Sequence, residues 1–172
     1  MQTTSRFQRW FKTSTGRRFR GSISHVGTSG LSSSSFVETR TVLNVLLNEP
    51  VFPGEVILDG AARRFLVGTH DVRAGKRVHK LFELTTQLSW KRPQASLDPV
   101  TNLPRAAVPT DLGPLWCVME IYGRQEVDRA LHSAVERTRI ITGGDIRLND
   151  EVDGRMVRRI YEIYGVKVAE IQ

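Results

Sequence analysis

The chain has 172 residues, a formal charge of +7 and 40% apolar residues, enough for one domain or two small ones with a real core. Its single cysteine, Cys117, excludes an intrachain disulfide and a cysteine-rich zinc site. No run reaches the roughly 18 uncharged apolar residues of a membrane span, and no apolar signal region opens the chain, so the sequence reads as a soluble intracellular product.

The charge is unevenly placed. Arg6, Arg9, Lys12, Arg17, Arg18 and Arg20 all precede the first acid, Glu38, and the rest of the chain is close to neutral. This describes a neutral module with a basic tail, not a uniformly basic nucleic-acid domain. Phe7, Trp10 and Phe11 fall at i, i+3 and i+4, which predicts a short amphipathic helical turn with aromatic anchors and a basic rim. So short a turn does not hold alone in water. Two readings stay open: a frayed basic terminus, or an arm ordered by a partner such as another subunit or a nucleic-acid backbone. One turn buries too little area to anchor on a membrane. The candidate interaction residues, toward protein or phosphate, are Arg6, Phe7, Arg9, Trp10, Phe11, Lys12, Arg17, Arg18 and Arg20. Residues 21–35 are rich in Gly and Ser and read as a tether, so a flexible basic arm is expected over 1–35.

The body reads as strands. Residues 39–47 carry Val42, Leu43, Val45 and Leu46 with β-prone threonines, though periodicity leaves a short helix open there. A short strand over 55–58 ends in Asp59-Gly60, a turn signal. A strand over 63–69, a turn over 71–76 and a long, bent strand over 78–90 complete an antiparallel meander over 36–92. Residues 93–114 hold Pro93, Pro99, Pro104, Pro109 and Pro114, which predicts a long loop, either a linker or a partner contact. Residues 115–122 alternate as a strand. Val127, Leu131, Ala134 and Val135 form a helical stripe, so one short helix is expected over 125–135. Strands are expected over 137–142, 145–148, 155–164 and 166–171, with turns at 143–144, 149–154 and Gly165. The fold class is thus mainly β: a small antiparallel β-barrel or sandwich with one short helix, an extended basic N-terminal arm and a long proline-rich loop. Residues 115–172 form the barrel part with the helix, and 36–172 can be one domain. One echo recurs: residues 54–59 (GEVILD) match 144–149 (GDIRLN), with Arg63-Arg64 and Arg158-Arg159 following. It reads as two related β-units or as the ordinary grammar of a strand entering a hairpin.

No spacing suggests a catalytic constellation, a cofactor site or a metal site, and none is expected. His70 and His79 flank the 71–76 turn and can face each other across a hairpin, but no acid or thiol cluster completes a metal shell. Residues 68–77 lack the spacing and the hydroxyl residue of a phosphate loop. Cys117, inside an apolar strand, reads as an inert buried thiol.

The C-terminal third carries a further pattern. It opens with the Trp-containing strand Leu115-Trp116-Cys117-Val118-Met119-Glu120, followed by Gly123-Arg124-Gln125-Glu126 through Ala130. Then come the basic run Glu136-Arg137-Thr138-Arg139-Ile140-Ile141, a turn with Asp145, Gly154-Arg155, a strand with Tyr161 and Ile163, and a last strand ending Ala169-Glu170-Ile171. This stretch resembles the head–tail joining family of tailed bacteriophages, also called head-closure or stopper proteins. The resemblance implies a virion structural protein without catalysis, made in the host cytoplasm. It implies a homo-oligomeric ring, dodecameric like the portal it sits beneath, around the genome channel. The implied partners are the portal protein, tail or other neck proteins, and non-specific contact with genomic DNA. The competing reading is a nucleic-acid-binding β-barrel with a basic N-terminal arm; an enzyme is a third.

Overall fold

The structure is a computed structural model that describes residues 8–25, 41–94, 98, 100–101, 107–123 and 136–172. Among these residues the chain is all β, with twelve strands and no helix. The first six are β1 (Arg9–Thr13), β2 (Arg18–His25), β3 (Thr41–Leu46), β4 (Val56–Leu58), β5 (Arg64–Arg73) and β6 (Lys76–Glu83). The second six are β7 (Thr86–Gln94), β8 (Val108–Gly123), β9 (Glu136–Thr142), β10 (Glu151–Val152), β11 (Arg155–Ile163) and β12 (Val166–Ile171).

Each set closes into an antiparallel barrel. The first runs β1-β2-β3-β6-β5-β4 and the second β7-β8-β9-β12-β11-β10, each closing back on its first strand. The two orders are the same, strand for strand, so the chain is a structural repeat. The turns repeat too. Ala74-Gly75 joins β5 to β6 and Tyr164-Gly165 joins β11 to β12, all four with positive φ. That is the backbone a two-residue hairpin of the primed type requires.

Alternation along the strands explains the apolar runs. Phe11, Phe19, Leu43, Val45, Ile57, Phe65, Val67 and Leu81 fill the first barrel. Leu115, Cys117, Ile140, Ile146, Val152, Val157, Ala169 and Ile171 fill the second. Their neighbours Leu66, Phe82, Leu84, Ile141, Val166 and Val168 point out of the barrels into a shared third cluster. Strands apolar on both faces are what two barrels packed wall to wall demand. Thr69 N–H donates to Tyr164 O across this joint at 2.7 Å, and the Lys80 ammonium stands 3.1 Å from the centre of the Tyr164 ring. The Arg64 guanidinium lies 4.4 Å from the Trp116 ring. Gly143 belongs to the joint because a Cβ there would stand 2.6 Å from Val56 Cγ2.

Several sequence expectations are corrected. The flexible arm over 1–35 is, over Arg9–Thr13 and Arg18–His25, the first hairpin of the first barrel. The helical turn fails for the same reason: on a strand Trp10 and Phe11 face opposite ways, and Phe11 packs on Phe19 at 5.5 Å in the core. Gly21 is not tether but wall, because a Cβ there would stand 3.0 Å from Leu43 Cδ1. Residues 1–7 and 26–35, with Arg6 and Phe7, lie outside the described residues, as does the helix expected over 125–135.

The expected division into a 36–92 meander, a 93–114 linker and a 115–172 barrel also shifts. The expected long strand over 78–90 breaks at Leu84 and Thr85, and this is where the barrels join. Leu84 N–H donates to Arg64 O and its side chain enters the joint. Among its described residues the proline-rich stretch is mostly strand, with Pro93 opposite Pro109 and Pro114 opposite Ser89, while Pro99 and Pro104 lie outside the described residues. These prolines fit because their strands have a free side there. β9 meets β8 only from Cys117 onward, and β10 meets β7 only at Trp90 and Lys91. Finally, 145–148 is loop, and the short strand lies at Glu151–Val152 instead.

Candidate functional site

The seven described residues among the nine candidates divide into three groups. Phe11 is core, 2% exposed, and contributes to folding. Arg17 turns to Glu55, whose two carboxylate oxygens accept from Nη2 at 2.7 and 2.8 Å. Its guanidinium also lies over Phe52. It fastens the β1–β2 turn to the segment before β4. The remaining five are exposed: Arg9, at the start of β1, and the outward row Trp10, Lys12, Arg18 and Arg20.

The outward row is set by register. Trp10 stands opposite Arg20, and Lys12 opposite Arg18. The Arg20 guanidinium lies 4.7 Å from the centre of the Trp10 ring, which is 58% exposed. A groove of about 350 Å³ opens beside them, lined by Trp10, Lys12, Arg18, Leu58, Asp59 and Gly60. Asp59 is committed elsewhere. Its carboxylate accepts from Arg63 Nε at 2.9 Å and from the backbone N–H groups of Ala61 and Arg63. Burial alone would raise its pKa; these hydrogen bonds outweigh it and hold the carboxyl below its ordinary range.

A second feature lies on the other barrel. The β7–β8 pairing runs on to Gln94 opposite Val108, well past the strands that flank it. Among the described residues the result is a two-stranded ribbon with no strand paired to either edge beyond Lys91 and before Cys117. Val108 (66%) and Leu112 (38%) are exposed on it. Neither residue stood out in the sequence, where the prolines masked the strand.

The buried polar groups serve the fold. Asp150, 1% exposed, accepts from Trp90 Nε1, from Arg92 Nε and Nη2, and from Arg147 N–H, each at 2.9 Å. Burial alone would raise its pKa, but Arg92 and Trp90 outweigh that and hold it low. Arg77 reaches back to the carbonyls of Leu47, Glu49 and Val51. His70 and His79 are cross-strand partners with rings 4.7 Å apart, as their spacing predicts. His79 is fully buried and its Nδ1 lies 3.1 Å from Gly68 O, while Nε2 has no partner among the described residues. Burial pushes the His79 pKa down. Among the described residues no three His, Cys, Asp or Glu side chains gather as a metal shell. Burial pushes the Cys117 thiol up to about 11, which leaves it a poor nucleophile at neutral pH. A second cleft of about 240 Å³, lined by Gly54, Thr142, Gly144, Asp145, Glu162 and Lys167, runs along the seam between the barrels. Asp145 there is tied to Arg147 at 2.7 Å and Lys167 at 3.2 Å.

Comparison of the chain with family models, with curated proteins and with solved structures finds no match.

Proposed function

We propose that this chain is a structural subunit of a phage neck, assembling into a ring that joins the portal to the tail around the DNA channel. The observation that carries the proposal is the β7–β8 ribbon. A head-to-tail ring uses heterologous contacts, in which a projection of one copy meets a different surface of the next. The ribbon is such a projection, with Val108 and Leu112 presented to a neighbour. Pro93, Pro109 and Pro114 stand on its free edges and block uncontrolled strand addition, so it docks through side chains. The joint between the barrels also supports the reading, because a ring subunit under load needs two halves that do not flex. The strand pattern of residues 116–171 adds the resemblance already described. The role is assembly, without catalysis or cofactor.

The test is sedimentation velocity and negative-stain imaging of the full chain, alone and mixed with a portal ring. The expected result is rings templated on the portal, with assembly weakened by the double variant Val108→Glu/Leu112→Glu and its melting temperature unchanged. A chain that stays monomeric with portal present, or a double variant that assembles normally, refutes the proposal.

A further inference from the structure

We infer that the outward face of the β1–β2 hairpin binds the phosphodiester backbone of nucleic acid, with the exposed Trp10 ring receiving a base. The inference stands on this face alone and does not need the ring reading.

The first observation is an energetic oddity. Lys12 stands directly opposite Arg18, and like charges in a cross-strand pair destabilise a sheet. A closed barrel wall gains nothing from that placement. Lys12, Arg18 and Arg20 make no ion pair among the described residues, and Asp59, the one acid beside the groove, is occupied by Arg63. The contrast is Arg17, one residue away, which is neutralised by Glu55. A row of cations kept free on a rigid wall suits a polyanion that arrives from outside.

The second observation is the ring. The Arg20 guanidinium lies over the Trp10 ring, and the ring also lines the groove beside Leu58 and Gly60. An aromatic platform flanked by cations is the arrangement that holds single strands: phosphates on the cations, a base on the ring. A docked acidic protein is the weaker occupant. A protein groove buries an apolar stripe, and the stripe expected of Phe7, Trp10 and Phe11 does not exist, because Phe11 is inside the barrel. One exposed ring among three cations offers little apolar area but ample charge.

The experiment is fluorescence anisotropy of the full chain with labelled oligo(dT) of about 15 nucleotides, with a duplex of the same length, and with polyglutamate, across a salt series. Oligo(dT) should bind at low salt with a log–log slope of about −2, from three contacts at about −0.7 each. Lys12→Gln/Arg18→Gln should flatten that slope by about 1.4. Trp10→Leu should weaken oligo(dT) binding about tenfold and leave the slope unchanged, with the duplex little affected. Circular dichroism melting checks that these exposed substitutions leave the barrels folded. No binding at low salt, binding indifferent to Lys12→Gln/Arg18→Gln, or a stronger preference for polyglutamate overturns the inference. A duplex bound as tightly as oligo(dT), with Trp10→Leu silent for both, overturns the role given to the ring.

Discussion

Replacing Asp150 by Asn changes one oxygen to nitrogen and almost nothing in shape, so its cost isolates the charge and the accepting atoms. Four N–H groups converge on the carboxylate, two from Arg92, one from Trp90 and one from the Arg147 backbone. An amide accepts on one side only, so its NH₂ must face at least one of these donors. Removing one partner of a fully buried pair costs about 3–5 kcal/mol. The Arg92 side chain retains 22% exposure and recovers part of that from water, which leaves about 2–3 kcal/mol. For a chain of this size that is a fall in melting temperature of roughly 5–10 °C. The assay is urea unfolding at pH 7, followed by tryptophan fluorescence and circular dichroism, with the slope against urea checked for constancy. The same substitution made on Arg92→Met should cost at least about 1 kcal/mol less, because the cation it offends is gone. An Asp150→Asn protein within about 0.5 kcal/mol of the parent would sink the reasoning. Acid supplies a second check. Asp150 titrates below its unfolded 3.8, so the unfolded chain takes up the proton first as pH falls. The contribution is complete above 3.8 and is lost as pH drops through the folded value.

Three other outcomes are expected. His79 is held below its unfolded 6.5 by burial, so its share of stability is complete above pH 6.5 and declines as the solution is acidified; in His79→Leu, urea unfolding at a series of pH values should show a flatter slope between pH 6.5 and the carboxylate range, whatever its absolute stability. Gly143→Ala pushes a methyl to 2.6 Å from Val56 Cγ2 and should destabilise the joint by about 1–3 kcal/mol, read as a lower calorimetric midpoint for the chain. Lys12→Glu turns the repulsive pair with Arg18 into an attractive one and should stabilise the first barrel by roughly 0.5 kcal/mol, visible as a small rise in melting temperature.

Most of the sheet was legible because period-two alternation survives wherever one face is buried. Thr41–Leu46, Val56–Leu58, Glu136–Thr142 and Val166–Ile171 all lie close to their expected spans. The errors cluster where a local signal was stronger than the tertiary one. Phe7, Trp10 and Phe11 match a helical spacing by coincidence, and the inward Phe11 and Phe19, eight residues apart across a turn, carried the true pattern. Proline suppressed the ribbon because the rule against proline in strands weakens when one side of the strand is free. The echo of 54–59 in 144–149 pointed to a repeat that exists, but in the wrong register. Val56–Leu58 is strand β4, whereas 146–148 is loop. The corresponding strand is Glu151–Val152, and the matching signal is the Asp-Gly that follows each, Asp59-Gly60 and Asp153-Gly154. Of the candidate face, the residues were visible as a basic cluster; that Phe11 and Arg17 leave it, while Lys12 and Arg18 stand opposite each other, needed the register.

The repeat itself argues where function lies. Two barrels with one strand order must satisfy the same closure, so what they share is the requirements of the fold: the positive-φ turn before β6 and before β12, the Asp-Gly after β4 and after β10, the inward aliphatic rows. What they do not share is free to serve something else. The first hairpin of each barrel differs most among the described residues. In one it is a tight turn at Gly16 carrying Trp10 and a cationic row with no ion pair among the described residues; in the other it has grown into a ribbon that outruns both described neighbours. Each departure violates a rule of stability, like charges opposed in one, exposed apolar residues on a free-edged strand in the other. Such violations persist where a partner compensates them. The joint then fixes the two hairpins in one rigid frame, since Leu66 and Phe82 of one wall interlock with Ile141, Val166 and Val168 of the other. On the two proposals made above, the joint would hold the cationic face and the ribbon at one geometry, which is what a subunit between a nucleic acid and its neighbours in a ring requires.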